Sequence, residues 1–97
     1  MKTVFIVFNQ ALTERIDTIL DKHFIRGFTR WVDVQGRGTQ TGEPHMGTHT
    51  WPAMNSSVLT VVEESKVEPL LSSLKKLNEM SELQGLRAFV WSAEVGI

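Results

Sequence analysis

Hydrophobic positions along the chain switch between the periods typical of strands and of helices. Residues 4–8 are continuously apolar, β-branched or aromatic, which is typical of a central strand buried on both faces. Residues 11–24 place apolar side chains at helical spacing and charged ones on the opposite side, which predicts an amphipathic helix. We expect Gly27 to supply the left-handed cap at the C-terminal end of this helix. Strand character returns at residues 28–34.

The second half of the pattern repeats this order after a long irregular segment. Residues 56–62 form a β-branched run typical of a strand. Ser65 and Glu68 have the spacing of a capping box, which predicts the start of a second helix. The apolar stripe of that helix is predicted to consist of Val67, Leu70, Leu71, Leu74, Leu77 and Met80. Alternation at residues 86–93 predicts a last strand.

The order strand, helix, strand, strand, helix, strand predicts an α+β fold. Right-handed crossovers favour a four-stranded antiparallel sheet with both helices on one face, the ferredoxin-like βαββαβ arrangement. Strict alternation in residues 28–34 would place Trp31 and Asp33 on the same face of the sheet. A chain of 97 residues is long enough for one core and too short for two, so we expect a single domain over residues 1–97.

The strand compositions predict self-association. Helices cover only one face of such a sheet, yet Phe5 and Val7 are apolar on the other face, and so are Phe89 and Trp91 in the last strand. A large uncovered apolar face is unfavourable in water. Contact between copies of the chain is the economical way to cover it.

Charge and composition exclude several classes of function. Ten basic and eleven acidic residues leave the chain almost neutral, which argues against nucleic acid as a partner. The chain has no cysteine, so a disulfide framework, a thiolate nucleophile and a cysteine-rich zinc site are excluded. The apolar run at residues 3–8 is too short for a signal peptide or a membrane span, so we expect a cytoplasmic protein that is not embedded in a membrane.

The segment RGFTRWVDVQGRG, residues 26–38, resembles the P-II signal-transduction superfamily. In that family a similar Arg-Gly-Phe-Thr phrase ends the first helix, and a glycine pair opens a long loop called the T-loop. The predicted order of elements agrees with the family over the whole chain. The corresponding loop in this chain is residues 35–55.

This resemblance implies a homotrimer whose open sheet faces line its centre. It also implies sites for an adenine nucleotide or another small effector in the clefts between subunits. Carried over by position, the T-loop side of the cleft would be Thr29, Gly36, Arg37 and Gly38. The position of the family's B-loop, which precedes the last strand, is occupied by Gln84, Gly85, Leu86 and Arg87.

Two departures from the family pattern bear on function. The glycine- and lysine-rich phosphate-binding B-loop has no clear match in SELQGLRAF, residues 81–89. The chain also has no tyrosine, so it lacks the side chain that is uridylylated in nitrogen-regulating members. Short P-II-like proteins of this kind are associated with membrane transporters, so the resemblance implies a transporter as partner.

The first half of the loop has residues suited to binding an anion. In QGRGTQTG, residues 35–42, glycines allow backbone N–H groups to converge, and Arg37 supplies a charged donor for phosphate or carboxylate, with Arg87 as a second candidate. The alternative is that the glycines only end a strand.

The middle of the loop suggests a second hypothesis, a metal site in heavy-metal homeostasis. Its candidate ligands are Glu43, His45, Met46 and His49. Imidazole and thioether groups suit copper or zinc better than magnesium or calcium. The alternative is that these histidines are exposed loop residues without a ligand.

Catalysis has little support in the sequence. Ser56 and Ser57 begin a strand and lack the sharp turn of a nucleophile elbow. Glu63 and Glu64 are adjacent, so in a strand their side chains point to opposite faces and cannot act as a pair. We therefore expect a regulatory protein and no enzyme.

Overall fold

The computed structural model describes residues 1–37, 44, 46–47, 53–80 and 85–97. Two 3₁₀ turns, Gln10–Leu12 and Glu64–Lys66, lead into the two helices. In chain order the elements are β1 (Lys2–Asn9), α1 (Thr13–Lys22), β2 (Thr29–Val34), β3 (Asn55–Val62), α2 (Val67–Met80) and β4 (Arg87–Ser92).

The strands form an antiparallel sheet in the order β2-β3-β1-β4. The predicted ferredoxin-like fold, with β1 as a central strand, is therefore confirmed. The strand pairing places β2 and β4 at opposite edges of the sheet. Within the described ranges, no helix combines the length and apolar character needed to cross a membrane.

One core lies between the sheet and the two helices. Alternate residues of β1 and β3 point into it, and the helical stripes of α1 and α2 cover them, as the two periodicities require. Its buried members include Val4, Ile6, Phe8, Leu12, Ile16, Leu20, Val58, Leu70, Leu74 and Leu86. These side chains fix the helices on a single face of the sheet.

Helix α1 ends earlier than the pattern predicts, and Gly27 is not its cap. Phe24 takes the left-handed conformation with φ 57°, while the amides of Phe24 and Ile25 donate to the carbonyls of Asp21 and Leu20. These two bonds define a Schellman motif. Ile25 and Leu20 are both buried, and this apolar contact accompanies the motif. The motif leaves the Phe24 side chain 76% exposed, so it does not continue the apolar side of the helix predicted for residues 11–24.

Strand β2 contains a bulge that breaks its predicted alternation. Trp31 pairs with Ser57 and Val34 with Asn55, so three steps in β2 span two steps in β3. Asp33 adopts φ 56°, a left-handed conformation that aspartate tolerates better than most residues. The strict alternation on which the shared face of Trp31 and Asp33 was predicted is therefore broken between Trp31 and Val34.

The predicted capping box of α2 is also wrong. Ser65 lies inside the 3₁₀ turn, and α2 begins only at Val67, so Ser65 is not at the N-cap position. The apolar stripe is right for Val67, Leu70, Leu74 and Leu77, which are buried. Met80, its last predicted member, is 78% exposed, because it lies at the end of the helix beyond the edge of the core.

The face of the sheet opposite the helices is apolar and open in the protomer. Cross-strand pairing brings Phe5 beside Phe89, and Thr3 beside Trp91. Phe89 and Trp91 are 54% and 47% exposed, and the rings of Phe5 and Trp91 lie with centroids 6.4 Å apart. The uncovered face predicted from the strand composition is present in the protomer.

Candidate functional site

The long loop has a closed base at the end of β2. The Gln35 side-chain amide donates to the Met46 carbonyl at 2.8 Å, and the Gly47 amide donates to the Ala53 carbonyl at 3.1 Å. Pro44 is buried. These contacts hold the described loop residues against the start of β3.

Gly36 is a glycine for a packing reason. A Cβ at this position would lie 2.5 Å from Nδ2 of Asn55, whose side chain is buried at the first residue of β3. Such an approach is too close for any larger residue without rearrangement. The first glycine of the loop therefore allows β2 and β3 to come together where the loop begins.

Position 47 requires a glycine because of its backbone conformation and because of a close neighbour. It adopts φ 68°, and a Cβ there would collide with Sδ of Met54. The Met54 carbonyl accepts a hydrogen bond of 2.9 Å from the amide of Gln10, in the turn that follows β1. The return of the loop is thereby joined to the centre of the sheet.

The candidate B-loop position lies at the start of β4. Gly85 adopts φ 69°, which a glycine accommodates without strain. Leu86 is buried in the core, so its side chain faces away from solvent. Arg87 is exposed, and its Nη1 donates to the Leu86 carbonyl at 2.9 Å. Of the described members of this group, Arg87 offers a side chain to a ligand.

The two halves of the candidate site share one end of the sheet but lie at opposite edges. Pairing of β1 with its neighbours places Val7 beside Arg87 and Asn9 beside Asn55, so both loops meet this end. Three interstrand spacings separate β2 from β4, about 14 Å in total. One protomer therefore does not bring Arg37 and Arg87 to the same small ligand.

Thr29 lies at the far end of β2 from the loop. It is the first residue of the strand, is exposed, and pairs with Leu59. The structure therefore does not bring Thr29 to Gly36 within one protomer. Gly38 and Gln84 lie outside the described residues.

Two grooves on the described surface contain residues that were not predicted as site residues. A groove of about 240 Å³ between α2 and β4 has Lys75 and Asn78 beside Arg87. Another, of about 230 Å³, lies where β3 ends and β2 begins, and has Arg26 and Gly27 in its lining. The only signal for the second groove was the Arg-Gly pair in the family-like phrase. Both are smaller than most ligand sites.

The predicted metal ligands are largely untested. Glu43, His45 and His49 lie outside the described residues. Met46 is partly buried, and its carbonyl is engaged by Gln35. In the part of the chain that the structure describes, three His, Cys, Asp or Glu side chains do not come together as a metal site. The metal site stays a prediction.

Comparison with known proteins identifies the family. The described chain is a ferredoxin-like α+β domain in which the base of the long loop and the start of β4 lie at one end of the sheet. The sequence profile of the family Nitrogen regulatory protein P-II matches residues 1–95. The chain belongs to the P-II family, as predicted from residues 26–38. Among curated proteins, the search found no match.

Solved structures share the fold at low sequence identity. CPII from Thiomonas intermedia K12, a nitrogen regulatory PII-like protein bound to ADP, AMP and bicarbonate, is 22% identical, with TM-score 0.78 over 99% of this chain and 92% of that one. Its apo form is 20% identical, with TM-score 0.71 over 93% and 85%. A protein from Thermus thermophilus described as PII-like is 21% identical, with TM-score 0.68 over 93% and 83%.

Proposed function

We propose that this P-II-like protein is a homotrimeric regulator that binds an adenine nucleotide in the clefts between its protomers. The observation that supports the proposal is the position of Arg37 and Arg87 at opposite edges of one sheet. In a closed ring with a head-to-tail interface, the β2 edge of one protomer meets the β4 edge of the next. Such an interface makes one complete site from two halves.

The open face of the sheet supports the trimer. Trp31, Phe89 and Trp91 are each about half exposed on it or beside it. Full burial of an exposed side chain of the size of phenylalanine contributes roughly 1.5–3 kcal/mol, and covering these half-exposed rings would contribute part of that for each. A threefold arrangement buries it in the centre and leaves the helices outside.

The chemistry of the cleft favours an anionic effector. Arg37 and Arg87 are exposed guanidinium groups suited to phosphate or carboxylate oxygens. CPII from Thiomonas intermedia K12 is bound to ADP, AMP and bicarbonate. We extend the nucleotide to this chain as the first effector to test, and a small anion such as bicarbonate as the second.

The loop at residues 35–55 is the proposed T-loop-like output of a single P-II-like domain over residues 1–97. An effector at Gly36 and Arg37 would contact the residues beside the Gln35 to Met46 hydrogen bond that closes the loop base. Binding there fixes the loop in one conformation and so creates or hides a docking surface. A membrane transporter is the proposed partner. The protein itself would act in the cytoplasm, as a regulator without catalytic activity.

Calorimetric titration with ATP, ADP, AMP and cyclic AMP tests the effector. We expect saturable heat with at least one of them, and binding about tenfold weaker in Arg37→Ala and in Arg87→Ala, because a charge-assisted contact is lost in each. Lys22→Ala, which removes a cation from the helical layer, serves as the control. Absence of heat with all four nucleotides would rule out the nucleotide proposal.

A further inference from the structure

A groove of about 460 Å³ runs between α1 and α2, and helical residues alone supply its described lining. Ile19 and Leu77 form its apolar floor, and Met80 stands at one end. Leu77 is 6% exposed, whereas Met80 is largely exposed. Methionine adapts its shape to different partners and is frequent on surfaces that bind amphipathic helices. An exposed methionine above a leucine floor is therefore a feature of a contact surface.

The border of this groove is predominantly positive. Of the lining residues that the structure describes, Arg15, Lys22 and Lys76 are cationic and Glu14 is the one carboxylate. Lysine side chains extend apolar stems along such a floor and hold the charge at the rim. An apolar floor with a basic rim is complementary to an apolar stripe flanked by carboxylates.

A contact between the helices fixes the walls of the groove. Nε2 of His23 and Oγ of Ser73 lie 2.7 Å apart, joining the end of α1 to the middle of α2. The Schellman motif at Phe24 and the two hydrogen bonds from Lys66 Nζ to the carbonyls of His23 and Phe24 hold the same end. A groove with fixed walls costs less conformational entropy on binding.

We propose that this α1–α2 groove docks an acidic amphipathic helix of a partner protein. A third helix fits between two packed helices by the same ridge-and-groove geometry that packs them. The ten residues of α1 give a wall of about 15 Å, which matches two to three turns of a helix. Carboxylates on that helix would face Lys22 and Lys76 while its apolar stripe contacts Leu77 and Met80.

This surface is separate from the proposed effector cleft. The groove lies on the helical layer, whereas the loop base and the open apolar face belong to the sheet. Docking here therefore requires neither a nucleotide nor a particular loop conformation, and its test uses the nucleotide-free protein. Loss of nucleotide binding would leave this proposal unaffected.

The test uses a fluorescein-labelled peptide designed as a helix with a leucine stripe flanked by glutamates. A matched peptide carries lysines in place of the glutamates. Fluorescence anisotropy measures binding of each to the full chain and to the variants Lys76→Glu and Lys75→Glu. The two variants make the same charge change at adjacent exposed positions of α2, but only Lys76 lines the groove.

We expect saturable binding of the acidic peptide, weakened about tenfold or more by Lys76→Glu and within about twofold of wild type in Lys75→Glu. Circular dichroism checks that both variants are folded. Equal loss in the two variants, equal binding of the basic peptide or no saturable binding would overturn the proposal. A change in oligomer mass caused by Lys76→Glu alone would also overturn it, because it would assign the groove to a second copy of the chain.

Discussion

Gly36 packs directly against the side-chain amide of Asn55, at the point where the loop leaves β2 and β3 begins. A Cβ at residue 36 would lie 2.5 Å from Asn55 Nδ2. This relationship explains a glycine of the family-like motif by packing between neighbouring strands. The same position lies next to Arg37, so a stability requirement and a proposed binding role meet in adjacent residues.

Gly36→Ala is expected to destabilise the protein by about 1–3 kcal/mol, because the added methyl group must displace a buried side chain. Urea denaturation at fixed protomer concentration measures the free energy of unfolding. In the double variant Gly36→Ala/Asn55→Ala the collision is absent, so its total cost should be smaller than the sum of the two single costs. Simple additivity would show that the two positions do not compete for the same space.

Phe24→Gly is expected to raise the free energy of unfolding by about 0.5–1 kcal/mol. Glycine adopts the left-handed conformation of residue 24 without steric strain, which stabilises the folded state. The greater entropy of the unfolded glycine variant offsets part of this gain. Gly27→Ala provides the contrast, since Gly27 is not left-handed and a Cβ there meets nothing within 4 Å. A stabilising or neutral Gly27→Ala agrees with the Schellman motif at Phe24, and a strongly destabilising one contradicts it.

Gln35→Glu is expected to open the loop base while leaving the fold intact. The substitution keeps the size of the side chain but replaces the amide donor with an oxygen that cannot donate to the Met46 carbonyl. Hydrogen exchange followed by mass spectrometry should show faster exchange in peptides from residues 35–55, with little change in β1 and β4. Unchanged exchange in the loop would mean that this hydrogen bond does not hold it.

Phe89→Asp is expected to convert the proposed trimer to monomers or to reduce its mass sharply. A carboxylate on the open face would be buried without a partner in the assembled centre, which costs several kcal/mol. Sedimentation equilibrium measures the mass, with Met80→Asp as the control on the helical layer. A trimer that persists in Phe89→Asp would place the subunit interface elsewhere.

Much of the fold could be predicted from periodicity, since Leu12, Ile16 and Leu20 repeat at helical spacing and β1 is continuously apolar. The geometry of the helix cap and of the bulge was harder to predict from the sequence. Glycine preference pointed to Gly27 as the cap, whereas burial of Ile25 against Leu20 selects Phe24. The bulge at Asp33 depends on the register between β2 and β3, which alternation in one strand does not specify.

The candidate site could be predicted from the sequence only in part, because strand order and packing decide which residues lie together. The family-like phrase marked Gly36, Arg37 and the position of Arg87, but their separation across the sheet follows from strand order. Lys75 and Asn78 lie on an amphipathic helix, where polar residues are ordinarily solvated, so nothing in the spacing distinguished them. They lie beside Arg87 because α2 packs on β4.

The measurement that tests the central claim most directly is nucleotide binding by mixed trimers. Arg37→Ala and Arg87→Ala each remove one half of the proposed cleft, so a trimer of either variant alone should bind weakly. When the two are co-assembled, a protomer with an intact Arg37 can meet a neighbour with an intact Arg87. With random equal mixing this restores about one quarter of the sites.

Calorimetry of the mixed trimers with the nucleotide that binds the wild-type protein should therefore show wild-type affinity at about one site in four. Mixing the two variants after assembly, without subunit exchange, is the control and should restore none. If co-assembled trimers bind no better than the separate variants, the two arginines do not form a site across the protomer interface, and the central claim is contradicted.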